Sequence, residues 1–487
     1  MVLIAVLAAC LLSACAGRGQ ADADEPRVLR VAATYGNAAY KEDLRAQFLE
    51  TFQFLHPAIE IEIVTAIDWD AYYRYRNPEE PVEEPNPAEE MRKLMEGPNP
   101  PDVVIIDSGM LPYLIGENLL LPLDGYIEKS KFDLDGLAPI VIEWLRNEGN
   151  RSIYGLAPRF TSQALIYNKK MFLEAGVPFP QDGMTWQEIF DLAARISAHY
   201  GGEKFGFAFQ PYRFGNVLDA LIQYAGPLNL KWFSPDGGEL MIQSDSWKRV
   251  IGDLIPLYEQ NVIPDMQDLQ REPDRLFRTR FDFDVFLSGE VAMALVSYSY
   301  LQDVVTANQQ AGMTDGFDGI EWDVVTYPQH PEAPGVGGSL TLDGLMGINA
   351  RAGNPDDAWK LISFVNSEEW AKVKSRSTGG YLVSRLEQIR PIPGVEYNLP
   401  AFYSMQPSPP WIDSYQIIRN PEIWEALYLG DSKIQEVLSG QKTLDEALKE
   451  WQTEGNALIK ERREKGGNDP VSPTAPVVQV ESRVVIP

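Results

Sequence analysis

The six residues Asp102 to Asp107, Asp-Val-Val-Ile-Ile-Asp, set an unbroken apolar run between two acids, the pattern of a strand buried on both faces of a parallel sheet. Two more strands precede it. Val28 to Ala33 is apolar and stops at Gly36-Asn37, and Ile59, Ile61 and Ile63 alternate with Glu60 and Glu62. Between those two strands Tyr40, Leu44, Phe48 and Phe52 recur every four residues, as on one face of a helix. Strand, helix and strand in alternation predict a parallel α/β sheet, whose functional loops follow the carboxyl ends of its strands. Here those loops are Thr34 to Asn37, Ala66 to Trp69 and Asp107 to Met110.

A chain of 487 residues is long enough for one large core or two moderate ones. Its 42 Lys and Arg against 70 Asp and Glu leave a formal charge of -28. Such a surface repels phosphate backbones and anionic headgroups, which argues against nucleic-acid binding and fits solubility outside the cell. Val2 to Leu12 is apolar or small, too short to span a bilayer and about the length of a signal-peptide core. It ends in Leu12-Ser13-Ala14-Cys15, which resembles the lipobox of bacterial lipoproteins. The expectation is a signal peptide at 1–14, cleavage before a diacylglyceryl Cys15, and a lipidated tether at 15–27. No Lys or Arg precedes the apolar run, so Met1 reads as an internal start. Cys10 and Cys15 are the only cysteines, so the mature chain holds no disulfide and rests on core burial. His56, His199 and His330 lack ligand spacing, and no metal or cofactor is expected. The Pro- and Glu-rich stretch Arg76 to Pro87 reads as a solvated loop; a cation site from Glu79, Glu80, Glu83 and Glu84 lacks the glycine that a calcium loop needs.

Five short motifs then follow in order: Gly116 to Asp124 (Gly-Glu-Asn-Leu-Leu-Leu-Pro-Leu-Asp), Tyr154 to Pro158, Leu165 to Lys170, Ala175 to Pro178 and Thr185 to Glu188. With Ser288 to Met293, Gly347 to Asn349, Ala358-Trp359 and Thr443 to Leu458, the series resembles the family 1 extracellular solute-binding proteins, the group of the maltose-binding protein. The likeness runs from Val28 to about Glu464. Thr185 with Glu188 three residues on is also a capping box, and Ile189, Leu192, Ala193 and Ile196 give its helix an apolar face.

The resemblance implies an α/β, two-lobed periplasmic-binding-protein-like fold (type II), each lobe a mainly parallel sheet flanked by helices. It places lobe 1 at 28–155 and 327–364 and lobe 2 at 156–326 and 365–464; composition makes 465–487 a disordered tail. It implies a non-catalytic monomer, held to the outside of the cell membrane through Cys15, that traps a sugar or oligosaccharide between its lobes. The ligand would pass to the permease subunits of an ABC importer.

A sugar site needs aromatic faces for pyranose rings and planar polar groups for vicinal hydroxyls. By resemblance the first-lobe contacts follow the first three strands: Thr34, Tyr35, Asp68, Trp69, Asp107 and Ser108. Asp68-Trp69 stands foremost, although Trp69 with Tyr72, Tyr73 and Tyr75 equally suits packing a helix start. Arg159 to Thr161 matches the family's first crossing between lobes, where Arg159 suits a bidentate grip on hydroxyls or a carboxylate. In the second lobe Tyr212, within Gln210 to Phe214, is a stacking candidate after the apolar strand Phe205 to Phe209. Tyr298 and Tyr300 follow the strand Val291 to Val296, where the family often carries a cleft Trp that is missing here. Gly337-Gly338 would bring backbone close to ligand, and Trp411 either closes the cleft or anchors a surface.

Two other readings stay open. A lipoprotein glycosidase would use Asp282 with Asp284, or Asp68 with Asp107, although nothing selects these pairs and helix-surface charge is the simpler account of Asp282 and Asp284. A binding protein for an anionic or peptide ligand, feeding a sensor kinase, would use Arg159 and Arg213. No Gly-x-Ser-x-Gly elbow or Walker segment supports a hydrolase or ATPase.

Overall fold

A computed structural model describes residues 27–74, 85–213, 215–265, 281, 283–313, 317–376, 379–412 and 414–465. Cys15, Tyr75, Glu79, Glu80, Glu83, Glu84, Phe214, Asp282 and the tail from 466 lie outside the described residues. The strands are β1 (Arg27–Gly36), β2 (Ile59–Asp68), β3 (Val103–Ile106), β4 (Gly155–Leu156), β5 (Arg159–Asn168), β6 (Met293–Ser297), β7 (Trp322–Val325), β8 (Leu340–Asp343), β9 (Leu345–Ile348) and β10 (Leu382–Val383).

The first sheet runs β2-β1-β3-β9-β4. β1 is parallel to both β2 and β3, with Val31 opposite Ile63 and Val103, as the alternation of strand and helix requires. β3 buries all four side chains, whereas edge strand β2 buries Ile59 and Ile61 and exposes Glu60 and Glu62. β9 and β4 are antiparallel to their neighbours, so the sheet is mixed.

The second sheet departs further from the mainly parallel expectation. β5 pairs antiparallel with β6, β7, β8 and β10. Met293 of β6 and Trp322 of β7 enter opposite Tyr167 and Asn168, at the end where β5 finishes. A parallel pair needs a crossover back to the starting end, which these connections do not make. The strand expected at Phe205 to Phe209 is reduced to single parallel bridges, Phe205 to Val291 and Ala208 to Ala294.

Neighbouring chain passes join the two sheets. β4 leads into β5 through Ala157-Pro158, and β8 leads into β9 through Gly344 alone. Gly344 has φ 68°, and a Cβ there would stand 2.6 Å from Phe48 Cε1, so backbone and packing both demand glycine. β10 adds a third pass, pairing with Phe160 and Arg159.

Residues after 326 stay with elements of the second sheet, because Tyr327 Oη donates to Gln223 O (2.8 Å) and His330 Nε2 bonds Tyr224 O (2.7 Å); the return to the first sheet comes at Gly344. Residues after 364 remain beside the first sheet: Trp370 stacks on Phe48 at 6.1 Å, and Arg385 Nε donates to Asn366 O at 2.7 Å.

The helix expected over Tyr40 to Phe52 is interrupted by a π-helical turn at Arg45–Leu49. A strict four-residue spacing drifts around a 3.6-residue helix, and the wider turn keeps Leu44, Phe48 and Phe52 on the buried face. Helix Trp186–His199 forms with both halves of the Thr185–Glu188 capping box, and Leu444–Glu464 repeats the device with Thr443 and Glu446. Buried apolar residues gather in two large clusters: one spans the first sheet and reaches Ala164, Ile166, Ala294 and Val296 of the second, and the other packs Leu165, Met293 and Leu295 against the helices that carry Trp186, Trp247 and Trp451. Among the described residues no helix is long and apolar enough to cross a membrane.

Candidate functional site

Along the paired strands β5 and β8, Arg159 faces Asp343 and Thr161 faces Thr341. Opposite residues share a face, as do alternate residues of one strand, so Arg159, Thr161 and Gln163 look out on the same side. Phe160 and Ser162 point the other way and are 0% and 4% exposed.

Two adjoining cavities open beside the Gln163 end of this ribbon. The smaller, about 240 Å³, is lined by Ser108, Gln163, Gln223, Tyr327, Gly338 and Ser339 among others. The larger, about 1090 Å³, is bounded by Asn147, Lys231, Trp232, Gln406 and Gln416 among others. Trp144 and Trp411 line both and therefore stand at their junction. The floor is fixed: Gln163 Oε1 accepts from Ser339 N (3.0 Å) and Ser339 Oγ (3.1 Å), while its Nε2 donates to Gln223 Oε1 (3.3 Å). Trp411 is braced edge-on by Trp232 at 6.0 Å and Trp424 at 5.5 Å. Gly338 lies so close to Tyr327 that a Cβ would stand 2.8 Å from Cδ2, and its carbonyl accepts from Ser408 N at 3.0 Å. Glycine there serves packing as well as access.

Among the described residues lining these two chambers, the charged side chains are Glu148 and Lys231, the latter donating to Asn229 Oδ1 at 3.0 Å. Rings, prolines, amides and hydroxyls make up most of the rest. Such walls stack against the apolar face of a ring and exchange hydrogen bonds with hydroxyls.

The Arg159 end of the ribbon is a separate polar cluster. Arg159 Nε donates to Asp343 Oδ2 (2.6 Å) and Nη2 to Gln47 Oε1 (2.5 Å), and the guanidinium lies over Phe48 (4.8 Å) and Tyr381 (5.3 Å). The expected ligand grip is thus engaged inside the protein. Tyr40 is 43% exposed, yet desolvation and then the carboxylates of Asp343, Asp43 and Asp107 push its pKa up. Asp107 is likewise open to solvent and shifted upward by surrounding protein.

Of the residues expected from sequence, Ser108, Gly338 and Trp411 line the chambers. Tyr35, Asp68, Trp69 and Asp107 gather at the strand ends without lining them. Tyr35 stacks on Trp69 (5.6 Å, 7°), Trp69 meets Tyr72 edge-on (5.5 Å), Asp68 Oδ1 accepts from Ala71 N (3.1 Å), and Asp107 Oδ1 accepts from Met110 N (3.0 Å). Thr34 is buried against Met110.

Tyr298 and Tyr300 are both buried. Tyr298 is 2% exposed with Phe402 edge-on at 5.3 Å, and Tyr300 is 3% exposed with Oη donating to Asp284 Oδ2 at 2.8 Å. Ser297 and Ser299, which alternate with them, carry the accessible hydroxyls, 2.7 Å apart. Tyr212 is partly buried beside them, its Oη donating to Asp303 (3.1 Å) and its ring edge-on to Tyr300 (5.8 Å). Asp284 is no surface charge. It is buried, accepts from Phe286 N and Leu287 N at 2.9 and 2.8 Å, and burial pushes its pKa up to about 7. Arg213 is buried and paired with Glu290.

Sequence reasoning missed Trp144, Gln163, Gln223 and Tyr327. Gln163 was within reach, because it continues the Arg159, Thr161 alternation. Trp144 was not, because its helix Pro139–Glu148 also buries Ile140, Val141 and Leu145, and nothing in the period singles out one ring.

The family model described as bacterial extracellular solute-binding protein matches residues 34–372. A binding protein of Brucella abortus (strain 2308) is 23% identical over 366 residues, 71% of this chain and 79% of that protein. The sn-glycerol-3-phosphate-binding periplasmic protein UgpB of Brucella melitensis is 25% identical over 291 residues, 58% of this chain and 61% of that protein. Among solved structures, a sugar transporter from Rhizobium etli in an open conformation superposes with a TM-score of 0.60 at 19% identity, covering 88% of this chain and 99% of that one. The sugar-binding protein MalE of Xanthomonas citri gives 0.59 at 16% identity, covering 91% and 100%. These likenesses establish an α/β periplasmic-binding-protein-like fold with mixed sheets and flanking helices.

Proposed function

The chain belongs to the bacterial extracellular solute-binding protein family, and from that premise we propose that it is the capturing component of an ABC importer. Its ligand is a sugar or oligosaccharide, held between two lobes of a type II arrangement. The first lobe is built on β1, β2, β3, β4 and β9, the second on β5 to β8, and the passes at Ala157-Pro158, Gly344 and β10 act as the hinge. Loaded protein delivers its ligand to a membrane permease. Cys15, lipidated, holds the monomer at the outer face of the membrane.

The observation that carries this reading is the pair of chambers beside the crossing ribbon, walled by Trp144, Trp411 and Tyr327 and furnished with amides. Ringed walls with fixed amides suit a neutral polyol. The relatives in solved structures that are described as sugar-binding support the same class. A phosphorylated ligand such as that of the UgpB relative suits the chambers less, since Lys231 is their one cation among the described residues. Glycoside hydrolysis needs two carboxylates across the bond, and Glu148 is the single carboxylate among the described lining residues.

Mass spectrometry of small molecules released from purified protein tests the reading, followed by titration of the compound found. A neutral saccharide, bound without turnover, is the expected result. At 100 times its dissociation constant it stabilises the fold by about 2.7 kcal/mol. Release of a phosphate ester, or breakdown of a bound saccharide, would overturn it.

A further inference from the structure

We infer that the short helix Ser414–Arg419 is a latch: carried by the second lobe, it grips the first through Ile418 and the Arg419–Glu117 ion pair, and so holds the lobes shut without touching the ligand. The inference rests on the two-lobe reading above and adds a fastening to it.

The helix stands at the far end of the chambers from the hinge. The small chamber meets the β5–β8 ribbon at Gln163 and Leu340, and the large one reaches Gln416. Gln416 and Pro235 also line a surface cavity of about 580 Å³, together with Glu89, Ile418 and Arg419, and among its described lining residues none belongs to the ribbon. Rotation about the passes moves this rim most, so a contact here has great leverage on closure.

The ties to the second lobe are the firmer. Gln416 Nε2 donates to Pro235 O (2.7 Å) and Ser234 O (3.3 Å), and just beyond the helix Asn420 Oδ1 accepts from Arg463 Nη2 (2.8 Å), which also donates to Asp236 O (3.1 Å). Ile417 packs against the second core cluster. Toward the first lobe the helix lies on Leu111–Gly116 and the turn Ser108–Met110, and Ile418 packs against the first core cluster. Adjacent isoleucines, about 100° apart around the helix, thus serve different sides. Arg419 pairs with Glu117, the residue that follows Leu111–Gly116, and the two side chains are 52% and 23% exposed. So open an ion pair is weak. That asymmetry suits a latch, because the helix stays with the second lobe while Ile418 and Arg419 let go of the first. Neither of these two side chains lines the chambers, so the latch favours the closed form with or without ligand, and loosening it changes the open-to-closed ratio of the empty protein.

The test needs no ligand. Arg146 and Lys460 are exposed on helices of the first and second lobes, and Cys10 and Cys15 are the only cysteines. In the full chain with Cys10→Ser and Cys15→Ser, spin labels placed through Arg146→Cys and Lys460→Cys report the distance between lobes by double electron–electron resonance. Arg419→Met and Glu117→Gln should each lower the ratio of short to long distances about two- to five-fold, the worth of an exposed ion pair. The double variant should shift it no further than either single one, as expected if they act on one contact. Ile418→Glu puts a charge into the contact and should open the protein most. Melting curves confirm that every variant is folded. A long distance that appears in Ile418→Glu while Arg419→Met and Glu117→Gln match the parent overturns the latch and leaves two-lobe capture standing. So does a single distance throughout that is longer than the one in this structure. A single distance throughout that equals the one in this structure shows that the lobes do not part, and both readings fall.

Discussion

Arg159 and Asp343 face each other across β5 and β8, Nε to Oδ2 at 2.6 Å, one residue before Gly344 carries the chain from the second sheet into the first. The pair clasps the two passes where they run side by side. Arg159 is 7% exposed, and its planar fork reaches Asp343 and Gln47 together while stacked between Phe48 and Tyr381. Removing one partner of a buried ion pair typically costs about 3 to 5 kcal/mol. Asp343 keeps about a quarter of its side chain in solvent, which reduces the penalty. Arg159→Met should therefore lower the unfolding free energy by about 2 kcal/mol, read from the urea midpoint. Arg159→Lys should recover less than half of that, because an ammonium cannot reproduce the fork. A Lys variant as stable as the parent would show that charge alone matters here.

Asp284 makes stability fall as pH rises. Burial lifts its carboxyl to about 7 from the ordinary 3.8, helped by the nearby Asp303 and opposed by donors from Leu287, Tyr300 and Phe286. The folded protein therefore holds this proton more tightly than the unfolded chain does. Its contribution is complete below about pH 4 and is lost between about pH 4 and 7, by about 4 kcal/mol if Asp284 alone titrates. Asp284→Asn mimics the protonated form, accepting from the two backbone amides and donating to Tyr300. The difference in unfolding free energy between variant and parent should grow in the variant's favour across that window. A difference that stays flat from pH 4 to 8 refutes the assignment.

The capping box at Thr185 offers a calibrated check on local reading. Thr185 Oγ1 accepts from Glu188 N at 3.3 Å, and Glu188 Oε2 accepts from Thr185 N at 2.8 Å. Thr185→Ala should cost about 1 kcal/mol, the usual worth of such a cap. Loss of several kcal/mol would mean that Thr185 also holds the adjoining bridge to Gln329.

That motif was legible because its physics is local, and the same holds for β1, β2 and β3, whose apolar patterns are complete within a few residues. What pairs with β5 was not legible. Antiparallel pairing of β6, β7, β8 and β10 depends on where long connections bring the chain back, and no short pattern in the sequence encodes that. The candidate site divides along the same line. Ser108 follows a strand end, a position that a local pattern marks, whereas Trp144 and Tyr327 reach the chambers only through tertiary packing. At Tyr298 and Tyr300 alternation persists beyond the end of β6, and only the fold decides whether tyrosines or serines face inward.

Trp411 and Tyr298 separate binding from folding. Trp411 lines both chambers and is only partly buried, leaning on Trp232 and Trp424, while Tyr298 is enclosed by Phe402 and Tyr397. Trp411→Ala should weaken saccharide binding by about 2 kcal/mol or more, the size of an aromatic anchor, and should lower the ligand-free melting temperature by only a few degrees. Tyr298→Ala should do the reverse, removing about 3 to 5 kcal/mol of stability as core aromatics do. Its binding, measured where the variant is still folded, should stay within a few-fold of the parent. Trp69→Ala lies between them. Its ring stacks on Tyr35 outside the chambers, so the loss of that pair should appear in stability, about 1 kcal/mol, with little change in affinity. Calorimetric titration beside melting curves of the three variants decides the matter. A Trp69→Ala protein that binds ten-fold more weakly at unchanged stability would move the site to the ends of β1 and β2. A Trp411→Ala protein with parental affinity would take the chambers out of it.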